Sequence, residues 1–179
     1  MAPCASQPFD SLSAYGLPFT VGRGYRLIQG NCSSGTHGPH SAYRYAFDFA
    51  MSIGDTVVAA RSGVVVVTEG SFEDGNRRAG EENEIIVRHA DGSFARYVHL
   101  MQHGVMVEAG DSVRQGQPIG RSGDTGMSGG PHLHFDVASC EYHHCVTLPV
   151  SFRNILERPS RQEAGATYTA GGYDDARAP

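Results

Sequence analysis

The sequence predicts an all-β domain built on a mainly antiparallel sheet, and three observations carry that prediction. β-Branched runs recur at short intervals with glycine turns between them, as in Thr56-Val57-Val58, Val64-Val65-Val66-Val67-Thr68 and Ile85-Ile86-Val87. Asp91-Gly92 stands between two such runs, a strong hairpin signal. Only Phe152 to Glu157 hints at a helical turn. Short strands with regularly spaced glycine turns define an all-β class.

Residues 1–24 are mixed and proline-punctuated, and are expected to form an arm lying on a domain that spans residues 25–157. Tyr25-Arg26-Leu27-Ile28 is a short strand. Gly30 to Ser41 is a loop rich in Gly, Ser, Asn and Pro that carries His37 and His40. Tyr43 to Met51 reads as a strand with Asp48 set between Phe47 and Phe49. A carboxylate buried there needs a partner, and a metal ion is a good one; the alternative is an aspartate on the open face of an antiparallel strand. Strands follow at 54–60 and 63–68. Residues 70–84, polar and glycine-containing, form a long excursion expected to be mobile at the sheet edge. Glu84 to His89 and Phe94 to Leu100 make the hairpin, with His99 closing its second strand. Gly110-Asp111-Ser112-Val113 echoes Gly54-Asp55-Thr56-Val57. Residues 158–179 are polar and turn-rich and are expected to be a disordered tail.

The 179 residues suit one domain with a real core. A formal charge of −5 points to no nucleic-acid partner, and no apolar run is long enough to cross a membrane. No apolar leader region follows Met1. A monomer is expected. All fourteen basic residues are arginines, which excludes Schiff-base chemistry and attachment of biotin or lipoate. Cys4, Cys32, Cys140 and Cys145 permit two disulfides in an oxidising compartment. Cys140 and Cys145 are close enough to staple a hairpin, which would leave Cys4 for Cys32.

The stretch Ser128-Gly129-Gly130-Pro131-His132-Leu133-His134-Phe135-Asp136-Val137 concentrates the chemistry. In an extended strand His132 and His134 share one face, and Leu133, Phe135 and Val137 share the other. Two imidazoles so placed can both ligate a metal, or one can ligate while the other transfers protons. Further candidates are His37 or His40, Asp48 and His99. A catalytic zinc takes three protein ligands from His and Asp/Glu and keeps a position for water, and histidines beside it can move the proton and steady an oxyanion. These residue types fit hydrolysis of an amide bond.

From about Tyr25 to Ala138 the chain resembles the LytM/lysostaphin-type zinc metallopeptidases, endopeptidases that cut peptidoglycan. The resemblance is strongest from Ser122 to Asp136. It extends to Tyr97-Val98-His99-Leu100 and to Tyr45-Ala46-Phe47-Asp48-Phe49-Ala50. It implies a split-barrel fold of lysostaphin type, like a duplicated hybrid motif, with long groove-forming loops. It also implies one Zn2+ per chain, Asp48 and His134 as ligands, and His99 and His132 as catalytic histidines. Peptidoglycan peptides would be the substrate and the site of action extracytoplasmic. Many members place the first ligand histidine four residues before the aspartate, where this chain has Arg44. His37 or His40 must then reach back from the loop. The count from Gln29-Gly30 and the Thr-His-Gly context favour His37, whereas His40 is nearer in sequence to Asp48.

Other readings are weaker. Gly126-Met127-Ser128-Gly129-Gly130 matches the nucleophile-elbow pattern, but Pro131 and an alternating strand follow where that motif needs a helix. A catalytically inactive family member acting as a cell-wall-binding or regulatory module would usually lack zinc ligands, and here the set is complete. His89 and His103 read as strand and turn residues. His143 and His144, between Cys140 and Cys145, fit a disulfide-closed hairpin better than a zinc knuckle.

Overall fold

Eleven strands and one 3-10 turn organise the chain in a computed structural model that describes residues 4, 8–141 and 145–173. The strands are β1 (Gly24–Gln29), β2 (Phe47–Phe49), β3 (Thr56–Val58), β4 (Gly63–Glu69), β5 (Glu84–Arg88), β6 (Phe94–Val98), β7 (Leu100–Val105), β8 (Ser112–Val113), β9 (Pro118–Ser122), β10 (Leu133–Ala138) and β11 (Thr167–Thr169). An eight-stranded sheet runs β11-β1-β2-β10-β6-β5-β4-β8, and a second sheet runs β3-β9-β7. These strands pair antiparallel throughout and neither sheet closes into a barrel. This is the all-β, antiparallel architecture that the β-branched runs predict. No helix among the described residues is long and apolar enough to cross a membrane.

β10 lies in the middle of the large sheet and shows how the fold is divided. Leu133, Phe135 and Val137 point into the apolar core with Phe47, Phe49, Tyr97 and Phe152. Phe135 packs its ring 5.2 Å from Tyr97 and 5.6 Å from Phe152, so Phe135→Ala would cost about 3–5 kcal/mol. His134 and Asp136 alternate with these residues and point the other way. Both are buried, because loops cover that second face of the sheet.

Several expectations change. Tyr43 to Met51 is a strand only over Phe47–Phe49; residues 43–45 turn. The 94–100 strand breaks at His99, whose φ of 64° lies in the left-handed region and turns the chain from β6 into β7. Residues 152–157 are not helical: Phe152 and Ile155 form isolated bridges to Tyr15 and Ala170 and bury their side chains. The segment from Arg158 to Tyr173 is not a loose tail, since β11 pairs with β1 and Tyr168 and Gln162 are buried. From residues 1–24, Leu17 and Phe19 sink fully into the core.

The 70–84 excursion, expected to be mobile, is fastened. Asp74 accepts hydrogen bonds from the Gln102 and Asp124 backbone N–H groups, and the Arg77 fork grips Asp124 through two 2.7 Å bonds. Asn83 donates to the Phe72 and Leu100 carbonyls. Cys4–Cys32 and Cys140–Cys145 are disulfides, with Cα atoms 5.6 and 5.8 Å apart. His143 and His144 lie outside the described residues.

Candidate metal centre

Register builds the site. On β2 and β10, Asp48 stands directly opposite His134; on the other flank of β10, His134 pairs with Val98, the residue before His99. Gln29, at the end of β1, pairs with Asp48. Four adjacent strands therefore bring these groups into one row across the covered face of the sheet. His37 arrives from outside the sheet, at the end of the 3-10 turn Gly35–His37.

The three side chains meet: one ligand atom each from His37, Asp48 and His134 lie within 4.8 Å of one another, and all three residues are buried. Asp48 Oδ1 is 2.9 Å from His134 Nδ1 and 3.4 Å from His37 Nε2. His40 is exposed and outside this cluster. Arg44, at the position where a ligand histidine is common in the family, lays its guanidinium 5.2 Å from the Tyr45 ring centroid. Gln29 Nε2 donates to Asp48 Oδ2 at 2.8 Å and lies 3.3 Å from Thr36 Oγ1, tying the aspartate to the turn that carries His37. Gly35 (φ 76°) makes this possible: a Cβ there would lie 2.5 Å from Gln29 Oε1.

The donor set fits a zinc ion. His37 is 0 % exposed, yet neither ring nitrogen has a hydrogen-bond partner. A buried polar group left so is costly unless something absent from the polypeptide satisfies it. Ligand atoms about 2.0–2.1 Å from a tetrahedral zinc stand about 3.4 Å apart, the separation seen between His37 Nε2 and Asp48 Oδ1. Two imidazoles and one carboxylate are also a usual catalytic zinc set.

The charges respond to this crowding. Burial disfavours the Asp48 carboxylate, but the hydrogen bond from His134 and the His37 imidazole 3.4 Å away outweigh it and hold the group well below the usual range. Burial likewise disfavours the His134 imidazolium, yet the carboxylates of Asp136 and Asp48 raise it to about 9.

His99 and His132 stand beside the cluster with ring centroids 4.6 Å apart. His99 Nδ1 donates to the Thr125 carbonyl at 2.7 Å, and Thr125 is itself fixed by donating to the Leu100 carbonyl. His132 Nδ1 donates to the Gly130 carbonyl at 2.8 Å. A carbonyl can only accept, so each ring carries its proton on Nδ1 and keeps Nε2 as the free nitrogen. His132 Nε2 is 3.9 Å from Asp48 Oδ1. Burial, then the nearby His132 and His134, lower His99 to about 3, so it is neutral at pH 7. Ser128 Oγ donates to the Gly130 carbonyl, and its segment has no helix behind it, so no nucleophile elbow forms.

A groove of about 500 Å3 opens over these groups, walled by Gln29, Thr36, Tyr43, Gly80, Glu82 and Met127. Residue types alone did not flag Gln29, Tyr43, Arg96 or Asp136. Strand alternation would have found Asp136, two residues beyond His134 on the same face. An arginine inside the apolar run Ala95-Arg96-Tyr97 signals a buried partner in the same way. His89 hydrogen-bonds the Ser62 carbonyl and packs edge-on against Tyr15, while His103 is exposed on β7.

The chain is a peptidase-family domain carried on open antiparallel β-sheets, with a buried His/Asp/His cluster beneath its groove. More narrowly, the chain belongs to peptidase family M23, whose profile matches residues 42–145. It is 39% identical over 90 residues to peptidoglycan DD-endopeptidase ShyA of Vibrio cholerae, covering 50% of this chain and 19% of that protein. With lysostaphin of Staphylococcus simulans it shares 41% identity over 99 residues, 55% of this chain and 18% of the relative. The chain thus spans about a fifth of the length of these relatives. Among solved structures, lysostaphin from Staphylococcus simulans superposes with a TM-score of 0.53 at 33% identity, covering 70% of this chain and 47% of that one. LytU gives a TM-score of 0.54 at 26% identity, with coverages of 71% and 82%.

Proposed function

We propose that this chain is a zinc-dependent endopeptidase that hydrolyses peptide bonds of peptidoglycan, in the stem peptide or the cross-bridge. His37, Asp48 and His134 would hold one zinc ion. The observation that carries this reading is His37: a fully buried imidazole with both nitrogens unpartnered, beside a carboxylate and a second imidazole within ligand distance. Family membership and the names of the relatives supply the substrate class.

Zinc held there supplies Lewis acidity, polarising an amide carbonyl and making water acidic near neutral pH. The chain's own groups do the rest. His99, neutral and oriented through Thr125, offers its Nε2 lone pair to a proton in the groove. His132, oriented through Gly130, presents Nε2 on the Asp48 side, where it can take up a proton and, once protonated, donate to a developing oxyanion. The 70–84 and 30–44 segments wall the groove and orient the peptide, and Tyr43 closes one side with its ring edge-on to His134, 5.6 Å between centroids. The two disulfides suit action outside the cytoplasm.

Purified peptidoglycan digested with the chain and read by mass spectrometry tests this reading. New peptide termini that vanish with a chelator, return with zinc and are missing for His134→Ala are the expected result. Cleavage that survives chelation, or a His134→Ala variant of full activity, would overturn it.

A further inference from the structure

Behind the proposed ligands lies a buried ion pair that the chemistry above does not use. Arg96 on β6 and Asp136 on β10 are direct cross-strand partners. Both side chains are almost wholly buried, 0 % and 1 % exposed. Arg96 Nε donates to Asp136 Oδ1 at 2.7 Å and Nη2 to Oδ2 at 3.0 Å, a two-point grip. A buried ion pair is poor evidence of stabilisation, because desolvation offsets its attraction and an apolar pair of similar size does as well. Its position supplies another reason. Asp136 Oδ2 also accepts from His134 Nε2 at 3.0 Å, while His134 Nδ1 faces Asp48.

We propose that Asp136, clamped by Arg96, is a positioning residue for the metal. By accepting Nε2–H it fixes the His134 tautomer that leaves Nδ1 with a lone pair for zinc, and the arginine keeps the carboxylate from swinging into the site as a competing ligand. Metal-bound histidines commonly depend on such a carboxylate behind them, and losing it weakens metal binding about 10–100-fold. The inference rests on the reading of His134 as a zinc ligand.

The test measures the zinc dissociation constant of the full chain by competition with a chromophoric chelator, where near-ultraviolet dichroism shows native packing. Asp136→Asn should bind zinc about 10–100-fold more weakly than wild type. The double variant Arg96→Met/Asp136→Leu removes both charges of the pair together and takes the acceptor away from His134 Nε2. Where its near-ultraviolet dichroism shows native packing, it should show the same loss of affinity, which a merely structural role would not give. Nitrogen NMR of the zinc-loaded wild type should place the His134 proton on Nε2. Unchanged affinity in either folded variant, or a proton on Nδ1, overturns the proposal while leaving the zinc reading intact. A wild-type chain that takes up no zinc overturns both.

Discussion

Replacing His37 with leucine should make the metal-free protein no less stable, and slightly more so, while ending its response to zinc. Truncating an ordinary buried residue does the opposite, commonly costing 2–5 kcal/mol. His37 differs because it is fully buried with both ring nitrogens unpartnered, and each such group carries a desolvation penalty of about 1–3 kcal/mol. Leucine of similar size removes that penalty and keeps the packing. Against this stands the loss of the 3.4 Å contact to Asp48, which retains Gln29 and His134 as partners. The balance is about +1 kcal/mol, or about 2–4 °C in Tm for a chain of this size. Wild type with zinc at a hundred times its Kd gains about 2.7 kcal/mol, or about 5–11 °C. Calorimetry of both proteins, with chelator and with zinc, should rank them as zinc-loaded wild type, then His37→Leu in either condition, then metal-free wild type. A variant several degrees below metal-free wild type, with an undiminished zinc shift, would refute the reasoning.

The other predictions use different handles. His40→Ala should leave zinc affinity unchanged, since His40 is exposed and outside the cluster; equilibrium dialysis would show a contrary loss. His99→Asn should fold well, because asparagine accepts the left-handed backbone at that position, and should bind zinc while turnover falls about 10²–10⁴-fold; unchanged rates would remove His99 from the chemistry. Gly35→Ala should weaken zinc binding, as its Cβ would displace Gln29 and its φ of 76° disfavours any side chain; chelator competition reads this directly. Chelated protein should lose stability on acidification. The His99 value, about 3 in the folded state, lies below the unfolded value near 6.5. Its contribution is therefore present above about pH 6.5 and declines as pH falls toward 3. Melting curves across that window should be steeper for wild type than for His99→Asn.

How much of this was legible in the sequence follows from where each group sits. Asp48, His132 and His134 lie on or beside strands whose alternation is plain, so their shared side of the sheet could be read from spacing two. The choice between His37 and His40 could not. Both lie in a loop, where no periodicity fixes direction, and what brings His37 inward is the Gln29–Thr36 tie and the Gly35 turn. In the sequence His99 closes a strand, whereas in the fold its left-handed φ turns the chain and the ring lines the groove; residue type carries no signal of such a bend. Residues 158–179 read as disordered because they are polar, yet within the described part Gln162, Tyr168 and Ala170 are buried and β11 pairs with β1. The 70–84 segment reads as mobile because polar side chains suggest solvent, but here Asp74, Arg77 and Asn83 bond the neighbouring chain at Asp124 and Leu100.

The two faces of β10 explain why site and fold cannot vary independently. Leu133, Phe135 and Val137 hold the strand in register by filling the core, and that same register sets His134 opposite Asp48 and Asp136 opposite Arg96. A slip of one residue would bury the polar set in the core and expose the apolar one. Core packing therefore sets the register of two of the three proposed ligands, and Gln29 behind Asp48 and Asp136 behind His134 add the finer orientation. The third is not on the sheet and needs its own fastening, which explains the bonds concentrated around His37: the Cys4–Cys32 disulfide, the Cys32 N–H donating to the Arg44 carbonyl at 2.7 Å, and Gln29 bridging Asp48 and Thr36. With arginine at position 44, reach from a loop replaces proximity on a strand. The stiffness of residues 30–44 then decides whether the third ligand arrives.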